Sequence, residues 1–593
     1  MKFIAEYYMP ILAGLIIIMF YLCLPQLDSC PLERKMSKKK AAVYRSGIME
    51  KADWLIALTL TALYAVAAFT ALGDTAAPKS YWQGGEQPEY ISLAPGAQPD
   101  RLMYFSGITV GSFYLEGSAD GESYSLISCI EQNSADVIRW REIELPEGAE
   151  GCTHFRISAS GSPRMAELAF YEGEKRLEAL GPAALFDEQQ LVPEEMDYMN
   201  SSYFDEIYHV RTAQEHIEEL PVYEISHPPL GKLIISLGIR IFGLSPFGWR
   251  FMGTLLGVLM LPIMYVFSKK LFDSRNVSAC CTAVFAAEFM HFTQTRMATI
   301  DTYSVFFILL MYLLMYLWLN EQRLWQLALS GLFFGLGAAS KWTCLYAGAG
   351  LGLLWLLYWL FEGREKGLKA FWKNVGWCML FFVAVPGLIY YLSYYPYGAA
   401  EGLHGIGAFF KKRYMEIVLG NQEFMLSYHS GVHAEHPYSS PWYKWVFNIR
   451  PILYYLHYFD DGSRSSFGAF LNPAVCWGGL LALFVLIYTA VFRRDKKAGF
   501  ILLGYLAQLV PWMFVGRTVF EYHYFPSSVF LILALGYVFR LMELSGGKWK
   551  RPVYGFTAFC VVLFVMFYPA LSGMRVDSAR ATELLGWLPT WPF

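Results

Sequence analysis

Apolar runs of about twenty residues recur along this chain, and at 1.5 Å per residue roughly that number crosses a hydrocarbon core about 30 Å thick. Twelve runs are predicted to span a membrane: 7–25, 54–73, 250–268, 277–294, 302–320, 324–340, 343–361, 375–394, 471–492, 498–515, 525–543 and 552–572. Only 16% of the 593 residues are charged and 55% are hydrophobic, against about 25% charged in an ordinary soluble domain, which excludes a soluble globular enzyme. A net charge of -3 lacks the basic footprint of a nucleic-acid partner. The run 7–25 has no Ala-x-Ala-like cleavage site and is followed by a basic stretch, so it is expected to stay as a span rather than leave as a signal peptide. The ten cysteines include no Cys-x-x-Cys or paired Cys/His spacing suited to zinc. Cys129 and Cys152 share a polar segment and pair or stay free according to the redox compartment.

Lys and Arg concentrate in alternate short loops. They follow the first span (Arg34, Lys35, Lys38, Lys39, Lys40, Arg45, Lys51), the third (Lys269, Lys270, Arg275), the seventh (Arg364, Lys366, Lys369, Lys373), the ninth (Arg493, Arg494, Lys496, Lys497) and the eleventh (Lys548, Lys550, Arg551). With twelve spans all these loops share one side, which the positive-inside bias places in the cytoplasm. The long loops 74–249 and 395–470 then lie outside. Within the first, residues 80–180 alternate apolar and polar residues in short runs, such as Phe155–Ala159 and Leu168–Tyr171, separated by turn clusters at 119–121 and 146–148. This predicts a β-sandwich. The expected organisation is two N-terminal spans with a basic loop (1–73), the sandwich (74–195), an outer loop with an acidic pair (196–249), a transmembrane core (250–394), a second outer loop (395–470) and C-terminal spans (471–593).

Charged residues beside a bilayer are costly, so those next to the outer ends of spans are informative. Phe204-Asp205-Glu206-Ile207-Tyr208-His209 is followed by His227-Pro228-Pro229-Leu230-Gly231-Lys232 and then by Gly248-Trp249-Arg250. Neighbours on a helix point about 100° apart, so Asp205 and Glu206 cannot aim at one atom; one is a candidate base and the other an orienting group. Pro228-Pro229 ends one helix and starts another, and Leu230 to Gly243 is an amphipathic stretch suited to an interface.

These motifs resemble the first outer loop of the protein O-mannosyltransferases, polyprenyl-phosphate-dependent enzymes with the GT-C fold. The likeness continues through His291-Phe292-Thr293-Gln294-Thr295-Arg296 with Asp301, Ser340-Lys341-Trp342, residues 436–443 (His-Pro-Tyr-Ser-Ser-Pro-Trp-Tyr) with Arg450-Pro451, and Arg517 with Tyr522-His523-Tyr524. The chain departs from the eukaryotic members in an extra N-terminal span, the inserted sandwich, and a second outer loop too short for a β-trefoil, and so resembles a bacterial-type member. The run from Phe155 to Glu172 also resembles the closing strands of a discoidin-like or carbohydrate-binding jelly roll; a spacer without ligand is the alternative.

The resemblance implies an all-α polytopic membrane protein, about twelve helices with an inserted extracytoplasmic sandwich. It implies transfer of mannose from a polyprenyl-phosphate donor to Ser or Thr of secreted proteins, with inversion, on the outer face of the cell membrane. The chemistry asks for the same parts: a polyprenyl phosphate leaves as a stable anion and needs cations, while an acceptor hydroxyl needs a positioned carboxylate. Asp205 is the expected base with Glu206 beside it, and Arg250, Arg517, Arg296 and Lys341 are the expected phosphate holders. A basic residue at a span end can instead only reach toward headgroups, and the planar fork of Arg favours Arg250 and Arg517 over Lys341. His227, Asp301, His436, Trp442, Tyr443, Arg450 and His523 are expected to bind or position substrate, with Asp301 pairing with Arg296 or helping to bind the acceptor. His429, His433 and His436 with Glu435 serve a metal or, more in keeping with their spacing, positioning hydrogen bonds. No cofactor is implied, and a divalent cation stays open. Competing readings are a GT-C enzyme that glycosylates a lipid or cell-wall glycan and, outside that class, a transporter or sugar-sensing receptor, although a transporter would place ionisable groups near the midplane.

Overall fold

The computed structural model describes residues 47–431 and 435–593. The first predicted span and His433 lie outside them. Among the described residues nine helices are long and apolar enough to cross a membrane: Lys51–Phe69, Pro246–Phe272, Asp301–Glu321, Thr343–Phe361, Gly363–Ala400, Pro473–Phe492, Lys496–Phe514, Glu521–Leu544 and Gly547–Ser572, with Leu324–Ser340 a shorter apolar helix. Their ends follow from local chemistry. Asn472 caps the helix behind it by accepting from the Ala474 N–H, with Pro473 in the first turn. Asp495 accepts from the N–H groups of Lys497 and Ala498 at the start of the next. Both devices satisfy amides that a helix leaves orphaned at its N-terminus.

The predicted span 277–294 is not one helix. It divides into Arg275–Ala286 and Phe289–Thr295 because Glu288 interrupts the apolar run. The Glu288 carboxylate accepts from the His291 N–H at 2.7 Å and from the Asn472 N–H at 3.1 Å, while the Asn472 side-chain amide donates to the Ala287 carbonyl at 2.8 Å. A broken helix is tolerated inside a bundle when a neighbour satisfies the freed groups. A milder irregularity occurs at Leu380–Ala384, a π turn just before Pro386, where proline has no N–H to continue an α-helical ladder.

The chain forms two compact units, one of residues up to Thr70, 224–233 and 253–593, the other of residues 71–223 and 234–252. The second is built on the expected β-sandwich. Its strands are β1 (Trp82–Gln83), β2 (Glu89–Leu93), β3 (Arg101–Ser106), β4 (Gly111–Ser118), β5 (Ser125–Gln132), β6 (Trp140–Glu144), β7 (His154–Ser160), β8 (Arg164–Glu172), β9 (Lys175–Arg176) and β10 (Ala179–Leu180). One sheet runs β1-β8-β3-β6 with β9 also pairing the end of β8, and the other runs β10-β2-β7-β4-β5. On β4, Phe113 and Leu115 point inward between exposed or half-buried Tyr114 and Glu116, the period of two expected of a half-wet sheet. The inward residues of both sheets, among them Leu102, Phe155, Ile157 and Phe170, close one apolar core. Cys129 and Cys152 are free thiols, exposed and buried respectively. In the first unit, the loop 395–470 contributes a hairpin of β11 (Ile452–Tyr458) and β12 (Ser463–Ala469).

Candidate active site

In the unit that contains the sandwich, Asp205 stands at the N-cap of helix Glu206–Glu218 and makes no capping bond with its side chain. It is half-buried, whereas Glu206 is fully buried. The two adjacent carboxylates therefore occupy different surroundings. Glu206 accepts from the Trp249 indole N–H at 3.1 Å and from Arg250 Nε and Nη2 at 2.8 and 2.7 Å. This is the two-pronged geometry that makes Arg–carboxylate pairs strong.

Arg250 does not take the expected phosphate-holding place. Besides Glu206 it donates to the main-chain carbonyls of Leu72 at 3.0 Å, Tyr198 at 2.6 Å and Ser201 at 3.0 Å. All five N–H groups of its guanidinium are thereby used inside the protein, and the residue is 0% exposed. The Gly-Trp-Arg sequence is a structural clasp that holds the acidic motif and the segment 198–201 to the start of helix Pro246–Phe272.

In the other unit, the His-Pro-Pro-Leu-Gly-Lys segment is organised by Glu224. Lys232 Nζ donates to the Glu224 carboxylate at 2.5 Å and to the carbonyls of Glu224 and His227 at 2.7 and 3.0 Å. The second Glu224 oxygen accepts from the Ser226 N–H at 2.8 Å and bonds His227 Nδ1 at 3.2 Å. Gly231 is set by close approach, since a Cβ there would lie 2.7 Å from Ile300. Helix Lys412–Gly431 is tied to this segment, with Asn421 donating to the Ile225 carbonyl and His429 Nε2 to that of Ser226, both at 2.8 Å. The His227 ring meets His429 edge-on at 5.1 Å.

A carbonyl only accepts, so His429 carries its proton on Nε2 and presents a lone pair at Nδ1. That Nδ1 is buried and has no hydrogen-bond partner among the described residues. Burial, and then the neighbouring His227 ring and the positive charge of Arg517 and Lys341, hold the His429 imidazole down to about 4. Burial also lowers His227, outweighing the Glu224 carboxylate beside it.

Lys341 is buried and bonds both oxygens of Asp301 at 2.7 and 2.8 Å. The expected Asp301–Arg296 pair is replaced by this one. Helices Asp301–Glu321 and Leu324–Ser340 form a hairpin of similar arms, so Lys341, just past the second, returns to the level where the first begins. Arg296 instead donates to the Ala67 carbonyl at 3.2 Å and lies over Phe292. Arg517 bonds the Thr518 carbonyl at 3.2 Å and lies 5.9 Å from the Trp512 ring. A row of rings joins the cations: Lys341 is 5.5 Å from Tyr522, whose ring is 4.4 Å from His523, which is 4.3 Å from Trp512.

Residues of the segment 436–450 close on this row. Trp445 stacks on His523 at 5.9 Å, and His436 meets Phe520 edge-on at 4.9 Å. Arg450 Nε donates to the Pro437 carbonyl at 3.1 Å, which makes Arg450 a loop clamp. Trp442 and Tyr443 pack on each other, with Tyr443 exposed. Among the described residues no group of three His, Cys, Asp or Glu could hold a metal ion. The structure thus brings together His227, Lys341, Arg517 and His523, adds His429, Glu224, Trp445 and Trp512, and engages the Arg250 fork with Glu206 and main-chain carbonyls and Arg296 with Ala67 and Phe292. Glu224 could have been noticed three residues before His227, whereas nothing local marked Trp512.

A model of the dolichyl-phosphate-mannose-protein mannosyltransferase family matches residues 226–390, and one of the C-terminal four-transmembrane region of protein O-mannosyltransferase matches residues 414–591. The chain is similar to polyprenol-phosphate-mannose–protein mannosyltransferases of Mycolicibacterium smegmatis, 22% identical over 464 residues, 69% of this chain and 87% of the relative, and of Mycobacterium tuberculosis, 24% identical over 470 residues, 69% and 86% of the two chains. Among solved structures it resembles the S. cerevisiae protein O-mannosyltransferase Pmt1-Pmt2 complex bound to the sugar donor, with a TM-score of 0.58 and 14% identity over 66% of this chain and 90% of that one. At that identity the likeness is one of fold, and it agrees with a multi-pass membrane protein of GT-C type. With the two family models together covering more than half of its residues, the chain belongs to the protein O-mannosyltransferase family.

Proposed function

We propose that the protein transfers mannose from polyprenyl-phosphate mannose to the hydroxyl of a Ser or Thr in a protein, on the extracytoplasmic side of a cell membrane. The observation that carries this reading is the row of rings flanked by Lys341 and Arg517, a cationic, partly desolvated setting for a lipid phosphate. The acceptor oxygen attacks the anomeric carbon from the face opposite the phosphate, so the configuration inverts. Its proton passes to the Asp205 carboxylate, the bond from the sugar to the phosphate oxygen breaks, and polyprenyl phosphate leaves as an anion that needs no proton. Positively charged donors aimed at the departing phosphate lower the barrier by electrostatic preorganisation. Asp301, which accepts from Lys341 with both oxygens, orients it.

The test is turnover. Membranes containing the protein, given labelled polyprenyl-phosphate mannose and a Ser/Thr peptide, are expected to form glycopeptide. Label found only in lipid or glycan would favour the alternative acceptor.

The neutral Nδ1 of His429 accepts from an O–H and repels a phosphate oxygen, so we assign it to a hydroxyl of the donor sugar. One such bond corresponds to about 0.5–1.5 kcal/mol, a few-fold to about tenfold in kcat/KM. His429→Ala is expected to show that loss with mannosyl donor and none with the one deoxymannosyl donor that lacks the recognised hydroxyl. An equal loss with every deoxy donor would reduce His429 to a packing residue. If the sandwich binds carbohydrate, the outer face of its second sheet is where we place it: Tyr90 and Tyr124 meet edge-to-face at 6.0 Å, and Arg156 lies 4.7 Å over Tyr124 while forking onto Glu116. Rings for stacking beside a planar hydrogen-bonding pair suit a pyranose.

A further inference from the structure

At the far ends of the helices that begin near Asp301 and Lys341 lies a cavity of about 670 Å³, walled by Leu319, Leu354, Leu357, Phe361, Phe500 and Leu503. Leu319 is eighteen residues beyond Asp301 on one helix, about 27 Å at 1.5 Å per residue, so the cavity is separated from the candidate phosphate site by nearly a bilayer's thickness. It opens beside the cationic loop that follows helix Pro473–Phe492. Glu362, Arg494, Asp495, Lys496 and Lys497 border it. Both Asp495 amide acceptances are directed into its own helix start, and Lys496 bridges to Glu362 at 2.9 Å. Lys366 adds a fourth cation, 5.4 Å from the ring of Tyr358, another wall residue. Arg494 is exposed and makes no hydrogen bond or ion pair among the described residues.

A space of this size with an apolar lining is a poor home for water, which needs two to four polar partners per molecule. An open apolar cavity bordered by hydrocarbon fills with hydrocarbon. The cations at the mouth outnumber the carboxylates, and a lipid phosphate beside Arg494 would gain charge-assisted hydrogen bonds from a fork that is not otherwise engaged. We infer that this cavity is a binding site for an anionic phospholipid of the leaflet that faces the cationic loops, with one acyl chain between the helices and its phosphate held by Arg494 and Lys496. The site does not depend on the catalytic reading, because it lies at the opposite end of the same helices and shares no residue with it. A bilayer phospholipid rather than the polyprenyl donor is the occupant, since the donor's phosphate has its cations at the other end.

The test uses the full-length protein purified in detergent, with phosphatidylglycerol, phosphatidylcholine or undecaprenyl phosphate added singly. Native mass spectrometry reads bound lipid, and thermal unfolding in phosphatidylcholine reports folding of each variant. Wild-type protein is expected to retain one phosphatidylglycerol in preference to phosphatidylcholine and to unfold several degrees higher with it. Arg494→Gln combined with Lys496→Gln is expected to weaken that binding about tenfold, and Leu357→Trp, which fills the cavity, to abolish it, with glycopeptide formation retained in both. Equal retention of phosphatidylglycerol by the wild type and by folded Leu357→Trp protein would overturn the site. Tighter retention of undecaprenyl phosphate than of phosphatidylglycerol would overturn the assignment of its occupant.

Discussion

Asp205→Asn is expected to lower glycopeptide turnover by about 10²- to 10⁴-fold, the range that loss of a general base produces, while leaving folding and donor affinity close to those of the wild type. The substitution preserves size and removes basicity. Asp205 does not cap its helix with its side chain and is half-buried, so the change neither uncaps the helix nor leaves a cavity. Glu206→Gln is the informative companion. It removes the charge that Arg250 holds in a fully buried pair, so its effect should appear first as lost stability and only secondarily as lost turnover. Melting curves and single-turnover rates on the same preparations separate the two. Near-wild-type turnover by Asp205→Asn would remove Asp205 from the base role, and a folded Glu206→Gln protein with the larger catalytic loss would exchange the two carboxylates.

Much of this was legible along the chain, and what was missing has a common physical character. Periodicity and length predict helices well where no polar residue interrupts the run, as in Pro473–Phe492. They fail at 277–294, where a single buried Glu288 finds one of its two amide partners on a residue 184 positions away. The sandwich announced itself through alternation, and its strands β7 and β8 contain the runs 155–159 and 168–171. Motif residues were visible as types but not as partners. The residue type of Arg250 suits a phosphate as well as a carboxylate, and only the fold shows that Glu206, 44 residues earlier, already occupies its fork. Lys341 and Asp301 are joined by the return of a hairpin, and His429 becomes a site residue because its Nε2 reaches Ser226, 203 positions before it. Local chemistry is written locally, whereas the state of a buried charge or lone pair depends on which distant group arrives beside it.

Arg250 gives the largest expected effect on stability. Its guanidinium and the Glu206 carboxylate are both essentially inaccessible, and removing one member of a buried pair leaves the other as an uncompensated charge, at about 3–5 kcal/mol. Arg250→Gln should approach that full loss, because the carbonyls of Leu72, Tyr198 and Ser201 also lose donors. Arg250→Lys keeps the charge, but one ammonium with three N–H groups cannot reproduce five N–H groups in a planar fork, so a loss of intermediate size is expected. The measurement is thermal or denaturant unfolding of the purified protein, together with the donor KM of whatever fraction stays folded. If Arg250 is a clasp, the lysine variant should be destabilised and yet saturate with donor at the wild-type concentration. A variant of wild-type stability with a raised donor KM would return Arg250 to the phosphate and require that its buried contacts open when the donor binds.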